Sequence, residues 1–318
     1  MPHVVVAGAI HETGIKILSS RKDFNITYLR DNEDLTYRKL IKDADALIIR
    51  TQPLRKEDII NAKNLKIVSR HGVGYDAVDV SALTDKKILL TIVGDVNSHS
   101  VAEHSMALIL ASFKRLIKSD EAVRSGPWSY RNKLESRELL GKKLLILGYG
   151  RVGKKLATMA KIFGMEVFAY DPFVSGSDWP EGNTVKVDSL DEGLGFADCI
   201  SLNMPKTEKT LINQKEFGIM KNGVVLINTA RGGILEEDAF LAALRSGKVG
   251  AAGIDVFDIE PPGRGNPLSQ FKQVILTPHV AGLSLESAEA MAVSSVQNVL
   301  DYFDGNLDNS LIINEKQD

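Results

Sequence analysis

One stretch, Leu144 to Asp171, constrains this chain more than any other. It begins with an apolar run, Leu144–Leu147, short enough for a buried parallel strand. It turns through Gly148-Tyr149-Gly150-Arg151-Val152-Gly153 into a segment with apolar residues at Val152, Leu156, Met159 and Ile162, the spacing of one helix face. A second apolar run, Val167–Tyr170, ends on Asp171. The pattern predicts a strand, a glycine turn, a helix and a strand tipped with a carboxylate. Gly148 suits a tight turn, Gly150 lets a pyrophosphate approach the backbone, and Gly153 lets the helix pack close to the strand. The free N–H groups around Arg151 and Val152 would face the phosphates. Asp171 follows at about the ~20-residue spacing of an acid that grips a ribose 2′-hydroxyl. Glycines spaced in this way also mark ordinary turns. With both strands, the helix and the acid in register, the stretch reads as a dinucleotide site. Pro172-Phe173 follows the acid, with no Arg to receive a 2′-phosphate, which favours NAD over NADP.

Bulk properties narrow the field. At 318 residues the chain is long enough for two domains of about 150. The net charge of −2 offers no broad basic surface for nucleic acid, and no apolar run approaches the ~18 residues of a membrane span. The single cysteine, Cys199, lies in an apolar strand-like stretch and reads as a core residue. The chain opens directly into a strand, Val4–Ala7, without a basic or apolar leader, so a cytoplasmic protein is expected.

Up to residue 97, apolar runs at Val4–Ala7, Asn25–Leu29, Ala46–Ile49, Leu65–Ser69 and Ile88–Ile92 alternate with segments of helical length. Such alternation predicts a parallel sheet covered on both faces. The loop Arg70-His71-Gly72-Val73-Gly74-Tyr75 follows the fourth run, at the end of a strand where open α/β sheets bind ligands. Its glycines suit either an anion held by backbone N–H groups or a plain strand-to-helix turn. Ser100-Val101-Ala102-Glu103 has the form of a capping box and predicts the start of an apolar helix reaching about Ile117. A second alternating series has strands expected at Cys199–Leu202, Val224–Asn228, Gly250–Val256 and Val274–Leu276, before a final helix from about Leu285 to Phe303 and a polar tail. Because the glycine fingerprint sits mid-chain, the dinucleotide domain (98–284) is expected as an insertion in a domain built from 1–97 and 285–318.

Three polar residues follow strand-like runs in the second half. Arg231 comes after Leu226–Ala230, Glu260 after Asp255–Ile259, and His279 after Leu276-Thr277-Pro278. Singly, each suits a loop surface. Together they supply what hydride exchange with a 2-hydroxy acid needs. Histidine is the general acid/base near neutral pH. A carboxylate beside it fixes its tautomer and stabilises the imidazolium. Arginine holds the substrate carboxylate with two prongs and polarises the keto oxygen. The remaining histidines are scattered and make no metal motif.

Leu147–Gly153, Asn228–Gly233, Asp255–Pro261 and Thr277–Gly282 resemble, in order, the signature segments of the D-isomer-specific 2-hydroxyacid dehydrogenases, and the likeness covers nearly the whole chain. The resemblance implies an α/β protein of two doubly wound parallel-sheet domains: a flavodoxin-like substrate domain and an inserted Rossmann-type NAD domain that forms a homodimer. It implies Arg231, Glu260 and His279 as the catalytic set. NAD would lie along Gly148, Gly150, Arg151, Val152, Gly153, Asp171, Pro205, Thr210, Thr229, Ala230 and Gly282, with Asp255 near the nicotinamide amide. Backbone groups of Val73 and Gly74 would receive the substrate carboxylate. Within the family the likeness is to 3-phosphoglycerate dehydrogenases, because Arg50, Arg70 and Arg131 match basic residues placed around a substrate phosphate. Arg131 is expected to reach the pocket from a partner subunit. Two departures, His71 in place of a small residue and Asn203 in place of a histidine, keep hydroxypyruvate, glyoxylate and a sulfonate-bearing acid open as substrates. A formate dehydrogenase would pair its histidine with glutamine, where this chain has Glu260. An NAD-sensing corepressor-like binding protein is the alternative of another class, and the intact catalytic set argues against it.

Overall fold

The structure is a computed structural model that describes residues 1–31, 36–175, 179, 182, 184–207 and 209–314. It divides into two compact units, Met1–Asn97 with Leu283–Asp318, and Ser98–Gly282. The polar tail at 315–318 lies outside the described residues.

Short runs of Val, Ile, Leu and Ala become central strands because a parallel sheet covered on both sides buries both faces. In the first unit β1 (His3–Ala7), β2 (Asn25–Leu29), β3 (Ala46–Ile49), β4 (Ile67–Arg70) and β5 (Leu89–Thr91) form a parallel sheet in the order β2-β1-β3-β4-β5. Helices α1 (Glu12–Ser20), α2 (Tyr37–Leu40), α3 (Lys56–Ile60) and α4 (Val80–Asp85) fill the crossovers. Successive strand residues point to opposite faces, so each strand feeds two cores. Val5, Ala7, Leu47 and Ile49 pack with Tyr37, Ile41, Ile59 and Leu83. Val4, Val6, Ala46 and Ile48 pack on the other side with Leu18, Val296 and Val299.

The second unit opens with α5 (Ser98–Lys114) and α6 (Leu116–Ser125), then continues as β6 (Lys143–Leu147), α7 (Arg151–Ile162), β7 (Glu166–Tyr170), β8 (Val185–Lys186), α8 (Leu190–Phe196) and β9 (Cys199–Leu202). After these come α9 (Gln214–Ile219), β10 (Val224–Asn228), α10 (Glu237–Arg245), β11 (Val249–Ile254) and β12 (Val274–Leu276). Its parallel sheet runs β12-β11-β10-β9-β6-β7-β8. The chain winds outward one way from β6 and the other way from β9, so the crevice at the ends of these two strands is a topological switch point, where such sheets bind ligands. In the first unit the same reversal falls between β1 and β3. The last helix, α11 (Leu285–Asp304), packs with α1 in the first unit.

Three local expectations are corrected. The helix expected from Ser100 starts at Ser98, and the Ser100 hydroxyl donates to the Ala281 carbonyl at 2.8 Å instead of capping. Glu103 pairs with His99 at 3.1 Å, one turn back on the same helix. The helix also does not run through to Ile117: Arg115, at φ 52°, breaks it into α5 and α6. The two-residue strand β8 escaped the sequence because it is too short to carry a period. Cys199 is fully buried, and burial pushes its thiol pKa up, away from a nucleophile's range. Among the described residues no helix is long and apolar enough to cross a membrane.

Candidate active site

The glycine turn after β6 is built by close approach. Gly148 sits at φ +92°, and a Cβ there would lie 2.7 Å from the Asn203 carbonyl oxygen, on the loop across the switch point. A Cβ on Gly153 would lie 2.3 Å from the Gly148 carbonyl oxygen, so the first turn of α7 packs where no side chain fits. At Gly150 nothing lies within 4 Å of a Cβ position, which leaves room above the backbone for a phosphate. Arg151 and Val152 open α7, so their amides belong to the unsatisfied set of the helix N-terminus. Asp171 ends β7, and its two oxygens accept from the Tyr149 amide at 2.8 Å and the Phe173 amide at 3.0 Å. Each oxygen keeps a second lone pair for a ribose hydroxyl. The residues present therefore fit a dinucleotide. Pro205 and Thr210 are exposed on the segment after β9. Thr229 and Ala230 are buried after β10, and Gly282 is half-buried after β12.

The three polar residues expected to do chemistry leave neighbouring strands of the same sheet. At the end of β10, Asn228 accepts from the Ala230 amide and donates to the Arg231 carbonyl, both at 3.0 Å, and so shapes the turn that delivers Arg231. Arg231 Nη1 donates to the Ala230 carbonyl at 2.6 Å. Beyond β11, Glu260 Oε1 accepts from the Phe257 amide at 2.9 Å, and Oε2 lies 2.6 Å from His279 Nδ1. With Nδ1 so engaged, Nε2 is the atom left to exchange a proton with a ligand. The ring is 48% exposed, open enough for a ligand to reach. Burial works to raise the Glu260 carboxyl, but the bond from His279, the Phe257 amide and the charge of Arg231 outweigh it and hold the group below the usual carboxylate value. The structure thus brings Glu260 and His279 into contact, with Arg231 within electrostatic reach.

The first unit gathers a second group at the ends of β3 and β4. Arg50 Nη1 donates to the Ala9 carbonyl at 2.9 Å, across the β1/β3 switch point. Arg70 Nη1 donates to the His71 carbonyl at 2.8 Å. His71 is 5% exposed and its Nε2 has no hydrogen-bond partner. Val73 and Gly74 follow, half-buried. Arg131 belongs to the second unit, where it lies exposed with its guanidinium 5.8 Å from the Trp128 ring centroid.

His71 carries a stability prediction. Burial, then the charges of Arg50 and Arg70, push its pKa from 6.5 down to about 3. The unfolded chain therefore binds the extra proton between about pH 6.5 and pH 3, so this contribution is present above pH 6.5 and is lost as pH falls through that window. In His71→Leu, the rise of unfolding free energy with pH across pH 4–6 should be shallower by up to about 1.4 kcal/mol per pH unit. Urea titrations at several pH values measure it, and equal slopes for the two proteins would refute it.

Asn228, Thr277 and His104 were not singled out by the sequence reading, yet they hold the loops that carry Arg231 and His279. Asn228 and Thr277 lie inside the segments Asn228–Gly233 and Thr277–Gly282, a signal that was available. His104 lies mid-helix, outside those segments, where no local signal marks it.

Residues 106–281 match the family profile described as D-isomer specific 2-hydroxyacid dehydrogenase, NAD binding domain. The chain is 37% identical over 295 residues to a D-3-phosphoglycerate dehydrogenase of Methanocaldococcus jannaschii, covering 92% of this chain and 55% of that protein. It is 34% identical over 301 residues to a hydroxypyruvate reductase of Thermotoga maritima, covering 93% of this chain and 96% of the relative. A crystal structure of D-lactate dehydrogenase from Aquifex aeolicus, complexed with NAD and lactic acid, superposes with a TM-score of 0.88 at 29% identity, over 99% of this chain and 100% of that one. The chain spans about half the length of the phosphoglycerate dehydrogenases it matches.

Proposed function

The chain belongs to the D-isomer specific 2-hydroxyacid dehydrogenases, and from that premise we propose that it is an NAD-dependent dehydrogenase of a D-2-hydroxy acid, with 3-phosphoglycerate as the leading substrate. The observation that carries the reading is the 2.6 Å contact between His279 Nδ1 and Glu260, on the same sheet as the glycine turn. NAD, held by the Gly148–Gly153 turn and Asp171, supplies the hydride acceptor. His279 Nε2 takes the proton from the substrate hydroxyl in oxidation and returns it in reduction. Glu260 keeps Nδ1 protonated and stabilises the imidazolium. Arg231 binds the substrate carboxylate and polarises the carbonyl oxygen.

The leading substrate rests on Arg50 and Arg70, at the ends of β3 and β4 in the unit that also carries the Val73-Gly74 loop expected to take the carboxylate. Arg131 would join from a partner subunit in a homodimer. Leu116, Ile117 and Trp128, each more than half exposed, support such an interface. Hydroxypyruvate is the second reading, favoured by the Thermotoga relative that matches along nearly its whole length. A sulfonate-bearing acid would suit the same arginines. A corepressor-like role would need no turnover of any acid.

The test compares kcat/KM for phosphohydroxypyruvate with hydroxypyruvate, and for 3-phosphoglycerate and 3-sulfolactate with glycerate. Wild type should prefer the anionic tails. Arg50→Ala or Arg70→Ala should each cost roughly ten- to a hundredfold on those substrates, because a hydrogen bond to a charged group contributes about 1.5–3 kcal/mol. If the uncharged tails win, or the arginine variants lose nothing selectively, the hydroxypyruvate reading replaces this one. Light scattering on the same samples reports whether the protein is a dimer.

A further inference from the structure

Helix α5 is tied to both loops that carry the reactive side chains. Ser105 Oγ lies 2.8 Å from Thr229 Oγ1, two residues before Arg231. Ser100 Oγ donates to the Ala281 carbonyl at 2.8 Å, two residues after His279. His104, one turn beyond Ser100 on the same helix face, places Nε2 3.1 Å from Thr277 Oγ1, two residues before His279.

The line continues inward. Thr277 Oγ1 lies 2.5 Å from Asp255 Oδ1, and Asp255 is fully buried at the end of β11. An ionised carboxylate only accepts, so the single hydroxyl hydrogen of Thr277 goes to Asp255. The hydroxyl must then accept from His104, which assigns the His104 proton to Nε2. Asp255 Oδ1 also accepts from the Val280 amide at 3.0 Å, and Oδ2 from the Ala281 amide at 2.9 Å. The Asp255 carbonyl accepts from the His279 amide at 2.8 Å. Both carboxylate oxygens are thus committed to the loop around His279. That loop needs holding, because His279 sits at φ +53°, a conformation disfavoured for any residue with a Cβ.

We infer that His104 and Thr277 are positioning residues: a hydrogen-bond line from α5 through Thr277 to the Asp255 carboxylate holds the loop that presents the His279 ring to Glu260. His279 without this line keeps its chemistry but loses its aim. The inference rests on the dehydrogenase reading for its kinetic test alone.

The experiment compares Thr277→Val, which keeps the shape and removes the hydroxyl, with Thr277→Ser, which restores it, and with His104→Phe. Two readouts are taken. The first is kcat, KM and the pH profile on whichever keto acid wild type reduces. The second is the ring spectrum of labelled histidine in the NAD-free protein, with the His279 signal assigned by its loss in His279→Ala. Thr277→Val should lower kcat by about ten- to a hundredfold, the effect of a misplaced reacting group, with KM within about twofold and an altered pH profile. His104→Phe should cost about fivefold, the value of one neutral hydrogen bond. Thr277→Ser should return to near wild type. The His279 ring signal should shift or broaden in Thr277→Val and His104→Phe and not in Thr277→Ser. An unmoved His279 signal in both damaging variants overturns the inference, as does a Thr277→Ser protein as impaired as Thr277→Val, which would mean packing alone. Should Thr277→Val not fold, His104→Phe decides by the same signal. If wild type reduces no acid, the dehydrogenase reading fails while the ring spectrum still decides the positioning role.

Discussion

His279→Ala should lower kcat by about 10²–10⁴-fold, the usual contribution of a general acid/base, while NADH still binds. The ring is half exposed, its Nδ1 is committed to Glu260 at 2.6 Å, and Nε2 remains for the substrate hydroxyl. The glycine turn and Asp171 are separate from this loop, at the ends of β6 and β7, so the variant should retain NADH binding. Stopped-flow reduction of the preferred keto acid and a fluorescence titration with NADH separate the two effects. A variant with near-normal kcat would place the acid/base elsewhere. Glu260→Gln belongs to the same expectation in milder form, because the amide still holds the ring but removes the negative charge beside it.

Arg231→Ala should reduce kcat/KM by about 10²–10⁴-fold, since on the proposed role two charge-assisted hydrogen bonds to a carboxylate, at about 1.5–3 kcal/mol each, would be lost together. The loss should fall on both parameters. Binding of the substrate carboxylate enters KM, and polarisation of the carbonyl enters kcat. Arg231→Lys should recover only part of it, because an ammonium keeps the charge but not the planar fork. The Arg231 charge is also one of the influences that hold the Glu260 carboxyl low, so its removal should let that carboxyl rise. Steady-state kinetics of the three proteins on one keto acid measure this. An alanine variant within threefold of wild type would remove Arg231 from the site.

The strands were legible because their signal is local. Short runs made mostly of apolar residues, such as Cys199–Leu202 and Val224–Asn228, suit strands buried on both faces, and both runs are strands with those bounds. The fingerprint Gly148–Gly153 was legible for a similar reason. Its glycines answer to contacts with Asn203 and with the Gly148 carbonyl itself, and a missing side chain can be seen in a sequence. Local reading failed where a longer-range partner competed. Ser100 had the form of a cap, yet its hydroxyl went to Ala281, 181 residues away in the chain, because the helix had already begun at Ser98.

The sequence by itself determined the parallel α/β class, the strand–glycine turn–helix unit, and the appearance of Arg231 and His279 just after strands, whereas the run Asp255–Ile259 before Glu260 is loop beyond β11 and not strand. Only the tertiary structure decided that Glu260 and His279 touch, that His71 is buried beside two guanidinium groups, and that Asp255 gives both its oxygens to the loop around His279. The physical reason is the reach of each signal. Apolar periodicity is set by neighbours a few residues apart, whereas a hydrogen-bond line such as His104 to Thr277, separated by 173 residues, exists only once helix and sheet have packed.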